Sequence, residues 1–213
     1  MAERRERRPS IRCSEAGFSL VELMVAMAIF TIFIVIVLGS VVAISRSAVR
    51  TQLVGQSTNS SLVVFGSIDR QVRYADSINF PGPGTSGDRY VEFRVPAAST
   101  ASTVAICYQW RFSVTNLRLE SRQWSESDPT TRTAFSVRLT DMADDGVATH
   151  PFQLQPATTT STPQQLFLVL NPGTNAQLAG ASMSTSFVAR NSSSNSPSNN
   201  PLTPVCTFSG YRL

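Results

Sequence analysis

The sequence predicts an α+β protein in which one long N-terminal helix, apolar over its first half, packs its second half on an antiparallel β-sheet head. Three observations predict it. The run Phe18–Ile44 is 27 residues long and holds a single charge, Glu22. Apolar residues then continue at near-helical spacing to Ala75. Beyond Ala75 the chain turns to Pro/Gly-rich loops and alternating, β-rich runs.

The apolar run is the first element. As a helix it measures about 40 Å at ~1.5 Å per residue, enough to cross a ~30 Å hydrocarbon core. A secretory signal peptide fits poorly, because its apolar core spans only ~7–15 residues and ends at a small-residue cleavage site. Here the small residue, Gly17, comes before the run. Glu22 argues against a plain anchor. A carboxylate at the centre of an apolar span costs roughly 2.5–3.5 kcal/mol, and less near an end. Such groups usually have a partner, and no cation follows within a helical turn. A cut between Gly17 and Phe18 would create one: the new α-amino group would lie four residues before Glu22, on the same helix face.

Composition narrows the function classes. The chain has 213 residues, 42% apolar and 15% charged, as expected of a folded protein. Its net charge of +4 is unevenly placed. Arg4, Arg5, Arg7, Arg8 and Arg12 precede the apolar run with Glu3, Glu6 and Glu15, leaving 13 basic against 11 acidic side chains elsewhere. A near-neutral body gives no support to direct nucleic-acid binding. Every basic residue is Arg, which excludes Lys-dependent chemistry. The N-terminal arginines put that end in the cytoplasm and the body outside, in a single pass through the cell membrane.

The string Gly17-Phe18-Ser19-Leu20-Val21-Glu22, between a basic leader and an unbroken apolar run, resembles the leader signature of type IV pilins and type II secretion pseudopilins. The resemblance implies a pilin-like fold. It implies cleavage after Gly17 by a prepilin peptidase, N-methylation of Phe18, and Glu22 as the assembly carboxylate. Its partners would be the peptidase, other pilins or pseudopilins, a platform protein and an assembly ATPase, with no cofactor. Cys13 would leave with the leader.

The second half of the helix is expected to reach Ala75, with Val49, Leu53, Val64, Ile68, Val72 and Ala75 on its packed face. The polar stretch Gly55–Ser61 weakens it. Gly39, inside the apolar half, reads either as a point where the helix loosens during assembly or as a small residue for close packing. Val64 to Ala75, with Asp69, Arg73 and Ala75, resembles the end of this helix in J-type minor pseudopilins and related minor pilins. The domains expected are a leader over 1–17, a membrane and filament-core helix over 18–45, its amphipathic continuation over 46–75, and an extracellular head over 76–213.

In the head, Pro81–Gly87 reads as a loop. Strands are expected at Tyr90–Val95, Thr103–Val114, Leu117–Arg122, Ala134–Thr140, Gln165–Leu170 and Ser182–Arg190, forming one sheet. Val91, Phe93 and Val95 alternate with Tyr90, Glu92 and Arg94, as in a strand with one wet face. Ser192–Pro204 reads as a flexible surface loop. The run Ser186–Asn191 resembles a late strand of the J-type proteins.

Cys107 and Cys206 remain once the leader is gone, and an even pair in an exported domain favours a disulfide over two thiols. Bridging about 100 residues contributes up to ~4–5 kcal/mol by chain entropy. His150 is the only histidine, so a nucleophilic relay has weak support, and zinc lacks ligands. Asp141, Asp144 and Asp145 before Gly146 read as an acidic turn rather than a calcium loop. Tyr108, Trp110 and Trp124 read as core rather than a binding face. The expectation is a minor pilin or pseudopilin, not an enzyme. The alternatives are a major pilin and an uncleaved, membrane-tethered binding domain. Filaments for adhesion, twitching, DNA uptake and secretion share this N-terminus.

Overall fold

The computed structural model describes residues 17, 19–160, 163–173 and 182–213. Residues 1–16 of the expected leader and Phe18 lie outside the described residues. Helix α1 spans Leu20–Arg73, and the chain divides into two compact units between Val49 and Arg50. In the first unit every described residue is exposed. The helix runs unbroken through Gly39, whose surroundings are open. The hydroxyls of Thr31 and Ser40 donate to the carbonyls four residues back, Met27 and Ile36, at 2.7 and 2.9 Å. These polar groups therefore need no solvent. The segment is long and apolar enough to cross a membrane.

In the second unit, the helix presents Val64, Ile68 and Val72, followed by Ala75, as a dry stripe. Leu53 is half-buried and Val49, in the first unit, is exposed. The helix continues through the polar stretch Gly55–Ser61. Among the described residues nine strands follow: β1 Ser77–Ile78, β2 Gly82–Pro83, β3 Arg89–Val95, β4 Ile106–Ser113, β5 Arg118–Ser125, β6 Ser136–Leu139, β7 Phe152–Gln155, β8 Gln165–Leu170 and β9 Met183–Val188. All their pairings are antiparallel. The architecture is α+β, with one long N-terminal apolar helix followed by antiparallel sheets.

Two sheets replace the single one expected. The first runs β1-β3-β4-β5-β6, with β2 also on β3; the second runs β7-β8-β9. The sequence reading lacks β1, β2 and β7. β1 and β2 are two residues each, and β2 lies within the Pro/Gly stretch read as a loop. β7 reads Phe-Gln-Leu-Gln, with no β-branched residue to mark it. Apolar side chains of both sheets meet the helix stripe in one core: Val91, Phe93, Trp110, Phe112 and Leu119 from the first, Phe152, Leu166, Leu168, Leu170 and Phe187 from the second. Trp110 is fully buried and donates its indole N–H to Gln71 Oε1 of the helix at 2.9 Å.

The wet face expected of β3 is dry. Tyr90 and Glu92 are fully buried, as is Gln109 on β4. The cover is the chain's own C-terminal segment, Val205–Leu213. Glu92 accepts from Arg212 at 2.9 and 2.6 Å, from Asn79 at 3.2 Å and from Gln109 at 2.9 Å. Asn79 exchanges two hydrogen bonds with the Val205 backbone, each 2.9 Å. Gln109 and Arg122 both donate to the Tyr211 carbonyl, and Tyr90 donates to that of Leu213. A Cβ at Gly84 would lie 2.7 Å from the Tyr90 ring and collide with the Arg212 carbonyl, so glycine is required where this segment crosses the β2 loop.

Ser192–Pro204 bonds to other parts of the head. Ser192 and Ser198 are buried, Ser196 Oγ donates to the Asp76 carbonyl at 2.5 Å, and Asn199 bonds both the N–H and the carbonyl of Ala157. The stretch lies mostly at the surface, as expected, and its Ser/Asn composition supplies hydrogen bonds to the head in place of apolar packing.

Candidate functional site

The N-terminal segment is the first candidate. Gly17 is exposed, with no described atom within 4 Å of a Cβ added there. Ser19 precedes the first helical residue and caps it: the Glu22 N–H donates to Ser19 Oγ at 3.2 Å and the Leu23 N–H to the Ser19 carbonyl at 3.1 Å. Glu22 lies in the first turn, where the helix dipole favours an anion, and is exposed. It forms no ion pair among the described residues. The sequence reading gives Ser19 no capping role, although Ser-x-x-Glu before an apolar run is a recognisable helix start.

The head holds the other candidates. Cys107 on β4 is bonded to Cys206, with Cα atoms 5.6 Å apart and a sequence separation of 99. Trp124, Val205 and Phe208 pack around the bond in a small cluster separate from the main core. Glu126 lies within 4.8 Å of both sulfurs, but it pairs with Arg94 at 3.3 Å, and bonded sulfurs offer no thiolate to a metal. Arg94 also binds Asp76 through two hydrogen bonds, and these hold its pKa above the ordinary value against the opposing effect of burial. Arg111 and Arg118 both pair with the buried Glu120.

Arg122 differs from these arginines. It reaches no carboxylate among the described residues, donating instead to Gln109 Oε1 and Tyr211 O while it stacks 4.3 Å from the Phe135 ring centroid. Burial, followed by the charge of Arg132, brings its pKa down to about 10.

The acidic turn is committed to protein partners. Asp144 takes two hydrogen bonds from Arg89 at 2.9 and 3.0 Å. Asp145 accepts from the Val147 N–H, from Asn171 and from His150 Nδ1, the last at 2.6 Å. Partial burial opposes ionisation of Asp145, but these bonds, that of His150 foremost, outweigh it and lower the pKa. Asp141 is exposed and accepts from Thr140. Trp110 and Trp124 are buried and Tyr108 is half-buried against the core.

The class these features define is a β-sheet head on an apolar, membrane-length helix whose N-terminus is a capped, acid-bearing start. Residues 12–38 match the family model of the prokaryotic N-terminal methylation motif. The match covers the end of the leader and the first part of α1. It supports a type IV pilin-like protein processed by prepilin peptidase and suggests a structural subunit rather than an enzyme. Motif and helix together fit membrane anchoring. No curated protein and no solved structure matches the chain.

Proposed function

We propose that this chain is a minor pilin or pseudopilin subunit of a type IV pilus or type II secretion-like filament. The observation that carries the reading is the methylation motif, matched over residues 12–38. Residues 1–17 are the leader, 18–45 the membrane and filament-core helix, 46–75 its amphipathic continuation and 76–213 the head on the outer side. Prepilin peptidase cuts after Gly17 and methylates the new N-terminus, Phe18.

Before assembly the apolar helix lies in lipid. In the filament it lies against other apolar helices, so the transfer costs little, and a head-to-tail contact that does not close on itself generates a helical array. The Glu22 carboxylate becomes tolerable by pairing with a Phe18 amine, that of a neighbour. The Cys107–Cys206 bond forms after export. The likeness of Val64–Ala75 to J-type proteins supports a minor subunit.

The test is whether the chain is recovered with sheared filaments and whether Gly17→Arg abolishes both the mass shift of processing and that recovery. Normal cutting of Gly17→Arg, or a wild-type chain confined to the membrane fraction, contradicts the proposal. The second outcome favours a tethered head.

A further inference from the structure

A cavity of about 370 Å³ lies between the Phe80–Pro83 stretch and β7. That volume suits a small ligand. Phe80, Pro81 and Leu154 give it apolar walls. The charged groups that line it are already neutralised within the protein. Arg89 holds Asp144 with both terminal nitrogens and donates to the His150 carbonyl at 2.9 Å. His150 Nδ1 meets Asp145. An ionised carboxylate only accepts, so Nδ1 carries the hydrogen of that bond, and Nε2 is the ring's remaining polar atom.

Gln153 donates Nε2 to Thr149 Oγ1 at 3.1 Å, and no described residue donates to its Oε1. Thr149, having accepted that bond, keeps its own O–H to give. Beside aromatic and proline surface the cavity therefore offers the Gln153 carbonyl, the second N–H of its amide, the Thr149 O–H and His150 Nε2, while Arg89 and His150 each meet a carboxylate outside the lining. Asp144 and Asp145 lie outside the lining, so a cation finds no carboxylate in the cavity wall, and the Arg89 guanidinium is already held by Asp144. A hydroxyl group, which donates and accepts at once, fits this set, and the C–H face of a pyranose ring fits the apolar wall.

We infer that this cavity binds a neutral saccharide, its ring against Phe80 and Pro81 and its hydroxyls on Gln153, Thr149 and His150. The inference goes beyond the filament reading, and its test does not depend on processing. Saturation-transfer NMR on the full chain in a zwitterionic detergent is run with cellotriose, maltotriose and the N-acetylglucosamine trimer, and with phenylacetate as an apolar anion. Transfer to the ring protons of at least one trisaccharide is expected. Gln153→Ala should lower its affinity by about fivefold, the worth of one hydrogen bond. Phe80→Ser should abolish the signal, while Gln155→Ala on the same strand should leave it unchanged. An unaltered melting temperature in Gln153→Ala separates lost binding from lost folding. Absence of transfer from all three sugars, equal transfer in Gln153→Ala, or transfer to phenylacetate alone overturns the proposal.

Discussion

The two units of this chain treat apolar surface in opposite ways. Up to Val49 the helix leaves Val21, Ile29, Phe33 and Ile36 each 60% or more exposed. Beyond Arg50 the same helix buries Val64, Ile68 and Val72 to within 2% of full enclosure. The head packs its apolar side chains on one another, whereas the described apolar side chains of the N-terminal unit stay exposed, which fits membrane anchoring. Within the head a second contrast appears. The inner face of the first sheet is closed by apolar packing, and the outer face by a segment that brings an arginine to a buried glutamate. The polar seal depends on particular pairs, whereas the apolar one tolerates exchange of similar side chains.

The sharpest way to break the first contrast is Glu22→Ala. Loss of a paired carboxylate in an apolar assembly is worth about 3–5 kcal/mol, so recovery with sheared filaments should fall by tenfold or more. Processing and head stability should stay as in the wild type. Equal recovery of mutant and wild type would mean that the N-terminal unit assembles by apolar contact alone.

The next largest effect belongs to the outer seal. Arg212→Ala leaves Glu92 buried without its cation, and a loss of ~3–5 kcal/mol is expected in denaturant unfolding of the solubilised chain. A loss below 1 kcal/mol would show that the C-terminal segment covers the sheet without sealing it. Cys107→Ser should cost less, ~2–4 kcal/mol, because the ion pair and the Asn79 bonds still hold that segment after its covalent tie is gone.

The smallest effect concerns the acidic turn. Asp145 has a folded pKa below its unfolded value, so the stability it contributes is present above the ordinary carboxylate range and is lost as pH falls through the folded pKa. Asp145→Asn should flatten the acid limb of a melting-temperature profile below about pH 4. The group is partly exposed, which keeps the change small. An acid limb as steep as the wild type's would remove Asp145 from this account.

The N-terminal unit was legible from sequence because its signals are local. Gly17, Glu22 and an uninterrupted apolar run lie within one stretch, and even the missed Ser19 cap has a four-residue signature. Much of the head was legible for the same reason: Gln165–Leu170 alternates and is a strand with those bounds. The outer seal was not. Glu92 and Arg212 are 120 residues apart, and Asn79 and Val205 are 126 apart. Nothing in the alternation of β3 tells a polar face open to water from one closed by a polar partner. The second sheet was hidden because β7 is four residues long and rich in glutamine.

The account rests on where the native polypeptide begins. Intact-mass and N-terminal peptide measurement on protein taken from its own membrane should find Phe18 first and one methyl group heavier than the bare residue. A chain that still carries its arginine-rich extension to Met1 or Ala2 would contradict it.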